Sequence, residues 1–180
     1  QLLSEVGIFS EGYILDVKSD TAKIMASTEA GLFYGKEALL QLIRVGKGRV
    51  GACRIQDSPR FAWRGFMLDE SRHFFGKEKV MQYLDIMASL HLNIFHWHLT
   101  DEPGWRIEIK RYPDLTKIGA VGNWHDADAS AAFYTQEDIK DIVSYAAERH
   151  IMVIPEIDMP GHATSACRAY PEISGGGEGR

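Results

Sequence analysis

Cysteine is scarce, with only Cys53 and Cys167 in 180 residues. Two distant thiols make no disulfide framework. Two buried thiols are expected, and they fix no compartment. Positive charge is in deficit, with 20 Lys and Arg against 25 Asp and Glu and a formal net charge of −5. A basic footprint for nucleic acid or an anionic membrane surface is therefore missing. No apolar run approaches the roughly 18 residues of a membrane-spanning helix. Repeats and low-complexity tracts are lacking, and no basic-apolar leader follows Gln1. What is present is an ordinary globular composition, 45% hydrophobic and 25% charged. The chain closes on Ser174-Gly175-Gly176-Gly177-Glu178-Gly179-Arg180, which reads as the middle of a loop. Both ends are expected to be cut or processed.

Residue spacing gives two regions. In the first, residues 11–18 read as a strand and 23–26 as a second, short one. Residues 28–45 place Leu32, Tyr34, Ala38, Leu39, Leu42 and Ile43 near one helical face. Thr28 or Ser27 can cap that helix, and Gly46 stops it. Residues 48–55 read as another strand. Residues 1–56 thus form the C-terminal part of a small α+β domain, and Asp57-Ser58-Pro59-Arg60 is the linker candidate.

The second region, 57–180, alternates strand and helix. Strands are expected over 64–69, 93–100 and 151–158, and helices over 77–90 and 135–150, with a long loop before the second helix. Thr135 and Asp138 have capping-box spacing, and Ile142, Val143, Ala146 and Ala147 supply an apolar face. Mostly apolar strands in this order predict an α/β fold with a parallel sheet covered on both faces. Each strand ends in polar residues, and the carboxyl ends of parallel strands form the ligand crevice in such folds.

Three clusters stand at those ends. In Asp69-Glu70-Ser71-Arg72-His73, Arg72 can aim its planar donors at a ligand or form a local salt bridge to Asp69 or Glu70. In His96-Trp97-His98-Leu99-Thr100-Asp101, two histidines share a strand side. They suit either metal ligation, with Asp101 or His162 added, or hydrogen bonding in the core. Trp97 and Trp105 suit packing better than ligand stacking. In Pro155-Glu156-Ile157-Asp158-Met159-Pro160-Gly161-His162, the two carboxylates sit too close together on one segment to flank a scissile bond. The spacing favours Asp158 orienting His162 across the Pro160-Gly161 turn.

Taken in order, the strings resemble the β-N-acetylhexosaminidases of glycoside hydrolase family 20. They are Asp57-Ser58-Pro59-Arg60-Phe61-Ala62-Trp63-Arg64-Gly65, Leu68 to His73, His96 to Asp101, Gly104-Trp105-Arg106, and Pro155 to His162. Gly31-Leu32-Phe33-Tyr34-Gly35 resembles the small domain that precedes the catalytic one. The resemblance implies a (β/α)₈ TIM barrel, of which residues 57–180 would hold about the first three βα units. It implies exo-hydrolysis of terminal β-linked N-acetylglucosamine or N-acetylgalactosamine with retention, through substrate assistance and an oxazolinium intermediate. No cofactor and no metal are implied. The partner implied is a glycan with a terminal N-acetylhexosamine, in a periplasmic, secreted or lysosomal setting.

By the same resemblance Arg72 would bind sugar hydroxyls. Asp101 and His162 would relay to the acid glutamate, with Asp158 a supporting carboxylate. The family's catalytic Asp-Glu pair follows a fourth strand, and no such motif stands in these 180 residues. The Asp69-Glu70 and Asp101-Glu102 dipeptides fall in other motifs. Glu102-Pro103 departs from the family's acidic residue followed by glutamine. Two other readings have their own signatures. One is a metal-dependent barrel hydrolase using His96, His98, Asp101 and His162. The other is a non-catalytic carbohydrate-binding module.

Overall fold

A computed structural model describes residues 11–175. Residues 1–10 and the glycine-rich end, 176–180, lie outside the described residues. Two compact units divide the chain: Gln1–Arg64 with Asp85–Asn93, and Gly65–Leu84 with Ile94–Arg180.

The first unit carries an antiparallel sheet in the order β2-β1-β3, from β1 (Tyr13–Val17), β2 (Ala22–Ala26) and β3 (Cys53–Asp57). Alternation along β1 buries Tyr13, Leu15 and Val17. Helix α1 (Glu29–Val45) packs against this face through Tyr34, with Leu39 and Leu42 partly buried. Thr28 caps it, its hydroxyl accepting from the Gly31 N–H at 3.1 Å. A Cβ on Gly31 would sit 2.3 Å from the Gly12 carbonyl oxygen, so this close approach requires glycine. Strand β3 starts at Cys53 rather than 48, because a turn with Gly48 at φ 87° precedes it. Ile43 is exposed, at the edge of the expected apolar face.

The second unit carries a parallel sheet in the order β4-β5-β6, from β4 (Gly65–Asp69), β5 (Ile94–Thr100) and β6 (Met152–Ile157). Helix α2 (Lys77–Ser89) follows β4, and α4 (Gln136–Ala147) precedes β6. The expected βαβαβ order is observed, and the chain is a mixed α/β structure consistent with part of a TIM barrel. Central β5 is buried along nearly its whole length, with Phe95, Trp97 and Leu99 at most 1% exposed. Coverage of both faces does not extend to the flanking strands. Met67 of β4 and Met152 of β6 are exposed, on the sheet face that also carries the half-exposed His96 of β5.

The capping box at α4 forms: Thr135 accepts from the Asp138 N–H, and Asp138 accepts from the Thr135 N–H. Only Ile142 and Ala146 of its expected face are buried. These residues stack at i and i+4, whereas Val143 and Ala147 are rotated away. The long loop holds a short helix, α3 (Asp114–Lys117), and α5 (Thr164–Ala169) follows the third strand. Neither has enough length to show a period. Cys53 and Cys167 are free and half-buried, not fully buried. No helix among the described residues is long and apolar enough to cross a membrane.

Candidate active site

The register of the parallel sheet builds the site. Asp69 pairs with His98, and His98 pairs with Glu156, so the three form one row across β4, β5 and β6. One residue later the register shifts, placing Thr100 opposite Ile157. Such a bulge re-aims the residues beyond it. Here the Thr100 hydroxyl accepts from the Asp158 N–H at 3.0 Å. Asp101 and Asp158 leave their strands at this point.

Arg72 reaches the row through a tight turn. The Asp69 carboxylate accepts from the N–H groups of Ser71 and Arg72, both at 3.1 Å. Arg72 then returns Nη1 to Asp69 at 2.7 Å and sends Nη2 to Asp101 at 2.7 Å. The local salt bridge and the outward-facing role therefore coexist, because the Arg72 side chain is still 37% exposed.

Asp101 is the hub. It is 1% exposed. Its Oδ2 accepts from Arg72 and, at 2.9 Å, from His98 Nε2. Its Oδ1 accepts from the Glu102 N–H at 2.7 Å and from His162 Nδ1 at 3.1 Å. Burial by itself would raise the Asp101 carboxyl. Donation from Glu102, His98, Arg72 and His162 outweighs burial and holds it below the usual carboxylate range. An ionised carboxylate only accepts, so His162 must carry its proton on Nδ1 and leave Nε2 for another group. His162 sits at φ 55°, an uncommon backbone state for a residue with a Cβ. The carboxylate that holds His162 is thus Asp101, not Asp158. The Asp158 carboxylate lies within 4.8 Å of both groups but makes no hydrogen bond to the ring. The turn at Pro160-Gly161 brings His162 back toward β5, which spacing along one segment could not reveal.

His98 and Glu156 take a larger part than their spacing announces. The His98 ring, 5% exposed, faces Asp101 on Nε2 and Glu156 on Nδ1, the latter at 2.9 Å. Glu156 also accepts from His96 Nε2. Trp97 and Trp105 are buried, as the packing reading expects. Two trios, His98/Glu156/Asp158 and Asp101/Asp158/His162, bring possible ligand atoms within 4.8 Å of one another. Both ring nitrogens of His98 face carboxylates, and each Asp101 oxygen accepts two bonds. Those contacts engage His98 and Asp101, two of the four residues of the metal-hydrolase reading, within the protein.

Beneath the row lies a buried polar layer that only the fold reveals. Arg106, 1% exposed, donates to the carbonyls of Glu70, Ser71, Ala120, Gly122 and Ala132. It fastens the long loop to the segment that carries Arg72. A Cβ on Gly104 would lie 2.2 Å from the Arg106 guanidinium, which explains the glycine in Gly104-Trp105-Arg106. Glu70 is fully buried and accepts from the Tyr134 hydroxyl at 2.7 Å and the Phe75 N–H at 2.8 Å.

Burial pushes the Glu70 carboxyl up to about 7 against those bonds. A folded-state value above the unfolded one favours the protonated form. The stability it supports is full below about pH 4.3, the unfolded value, and is lost as pH rises through about 7. Glu70→Gln keeps a neutral side chain of the same shape. Relative to wild type, its stability should rise by up to about 3 kcal/mol between pH 4.5 and 8, following the Glu70 shift. Thermal melts of both proteins across this range check it, and a constant difference would contradict it.

Residues 61–178 match the model of the glycosyl hydrolase family 20 catalytic domain, and residues 2–58 match that family's domain 2. A beta-hexosaminidase from Porphyromonas gingivalis is 45% identical over 173 residues, 91% of this chain and 22% of that protein. The structure of an exo β-N-acetylglucosaminidase from Vibrio harveyi, in complex with N-acetylglucosamine, aligns with a TM-score of 0.86 at 39% identity. It covers 92% of this chain and 28% of its own. A Streptomyces plicatus N-acetyl-β-hexosaminidase aligns with a TM-score of 0.86 at 41% identity, covering 94% of this chain and 36% of its own. The chain therefore spans between about a fifth and two fifths of the relatives it matches. With the catalytic-domain match spanning well over half of its residues, the chain belongs to glycosyl hydrolase family 20.

Proposed function

We propose that the protein containing this chain is a retaining exo-β-N-acetylhexosaminidase. Its substrates are glycans ending in β-linked N-acetylglucosamine or N-acetylgalactosamine. The observation that carries the reading is Asp101, one buried carboxylate joining Arg72 to His162 at the carboxyl ends of consecutive strands. Family membership and the names of the relatives support the same reaction class.

In this reading the substrate's acetamido oxygen attacks the anomeric carbon. The glycosidic carbon–oxygen bond breaks, and a glutamic acid protonates the departing oxygen. Water then opens the oxazolinium ion with net retention. The acid and its aspartate neighbour belong to the family motif after a fourth strand. The present residues serve that step in three ways. Arg72, held on two sides by Asp69 and Asp101, offers its remaining N–H donors to sugar hydroxyls. Asp101 fixes the His162 tautomer, and His162 Nε2 meets the acid and tunes its proton. Asp158, whose carboxylate lies within 4.8 Å of both Asp101 and His162, is the supporting carboxylate of this group.

Arg72→Ala in the full-length protein tests this directly. Charge-assisted hydrogen bonds contribute about 1.5–3 kcal/mol each, so kcat/KM on a chromogenic N-acetylglucosaminide should fall by about a hundredfold. KM should rise as kcat falls. An unchanged kcat/KM would reject the role.

A further inference from the structure

The His98 ring is enclosed by charge from every neighbouring element. Arg72 and Asp69 face it from the end of β4, with Arg72 Nη1 3.2 Å from Nε2. Asp101 faces it from the end of its own strand at 2.9 Å. Glu156 meets Nδ1 from β6 at 2.9 Å, and Asp158 lies within 4.8 Å. His162 and His96 stand one carboxylate further out, on Asp101 and Glu156 respectively.

A neutral imidazole has one N–H and one lone pair. At His98 the lone pair of the Nε2–H tautomer would point at Glu156 2.9 Å away, and that of the Nδ1–H tautomer would lie 2.9 Å from Asp101 Oδ2 and 3.2 Å from the Arg72 Nη1 donor. Only the imidazolium donates to both. Its positive charge, with that of Arg72, then faces the carboxylates of Asp69, Asp101 and Glu156 around a ring that is itself buried. The ring has little freedom, since its backbone lies inside the central strand and its side chain is 6% exposed. Asp101, by contrast, sits just past the strand end and after the bulge. Something must set its carboxylate plane so that Oδ2 meets Arg72 while Oδ1 meets His162.

We propose that His98 is a positioning residue of this site, whose ring, hydrogen-bonded at both nitrogens, sets the Asp101 carboxylate that Arg72 and His162 share. The inference rests on the glycosidase reading, in which Arg72 and His162 serve substrate and acid. It predicts that the Nε2 bond to Asp101 matters more for turnover than the Nδ1 bond to Glu156. Small displacements of positioning groups cost about a hundredfold in rate.

The test uses the full-length protein carrying His98→Gln, His98→Asn or His98→Ala, with folding checked by circular dichroism. The Gln amide nitrogen takes the place of Nε2, and the Asn amide nitrogen that of Nδ1. Expected is a fall in kcat/KM of about a hundredfold for His98→Ala and His98→Asn, shared between higher KM and lower kcat, and of about tenfold or less for His98→Gln. A merely structural role would lower the active fraction and leave KM unmoved. Equal losses in all three variants with wild-type KM would overturn the proposal. Histidine ¹⁵N spectra of the unmodified protein add a readout independent of catalysis. Protons on both His98 ring nitrogens near pH 6 are expected, and a single one would overturn it. Failure of the glycosidase reading looks different: the unmodified protein would then leave the N-acetylglucosaminide intact while the spectra still show a doubly protonated ring.

Discussion

Asp101→Asn in the full-length protein is expected to lower kcat/KM by roughly a hundred- to a thousandfold, with little change of shape at the site. The reason lies in its partners. All four groups around this carboxylate, on Arg72, His98, Glu102 and His162, are donors. An amide offers one accepting oxygen and one donating nitrogen. In either orientation, two donors would face an NH₂ group. Placing the nitrogen toward Oδ2 breaks the holds on Arg72 and His98. Placing it toward Oδ1 breaks the hold on His162 and removes the reason for its tautomer. The loss of charge adds to this, since Arg72 and His98 would have one fewer anion nearby. Steady-state kinetics on a chromogenic N-acetylglucosaminide measure the effect. A loss under tenfold, with the fold intact, would show that Asp101 is not the hub.

Arg106→Met is expected to destabilise the protein by about 3–5 kcal/mol, because several buried carbonyls are left unsatisfied at about 1–3 kcal/mol each, partly relieved by relaxation. Methionine fills much of the volume and donates nothing. Five backbone carbonyls, those of Glu70, Ser71, Ala120, Gly122 and Ala132, then lose this donor, and of them Ala120 keeps the Ala132 N–H at 3.2 Å. Arg106→Lys should recover little, because one ammonium cannot reproduce the planar fork that spans them. The loop that Arg106 fastens includes Trp124, whose N–H donates to the Arg72 carbonyl at 3.2 Å. A shift there reaches Arg72, so activity should fall below what the melting temperature alone explains. Denaturant melts of the two variants beside wild type check the stability difference. A change under 1 kcal/mol for Arg106→Met would contradict this account.

Much of this was legible from residue order. The βαβαβ rhythm comes from buried β-branched and aromatic runs alternating with helical spacing, and it places Asp69, Asp101 and Asp158 at one edge. Thr28 and Thr135 announce their helices because capping is local chemistry. Strand register is not local. The row Asp69–His98–Glu156 depends on how β4 and β6 slide against β5, and the bulge before Thr100 alters it again. Hence spacing alone pairs Asp158 with His162, whereas the resemblance pairs Asp101 with it, and spacing leaves His98 between metal ligation and core hydrogen bonding without naming Glu156 as its partner. Arg106 was visible only as part of Gly104-Trp105-Arg106, since its five acceptors come from segments up to 36 positions away. Glu70 was hidden for the same reason: its burial against Tyr134 is created by loop closure across 64 positions.

The claim at the centre is that Arg72 and Asp101 work as one unit in glycoside hydrolysis. A double-mutant cycle of Arg72→Ala and Asp101→Asn in the full-length protein, read as kcat/KM on a chromogenic N-acetylglucosaminide, tests it most directly. The account predicts that the double variant loses little more than the worse single variant. Losses that multiply in full would contradict it.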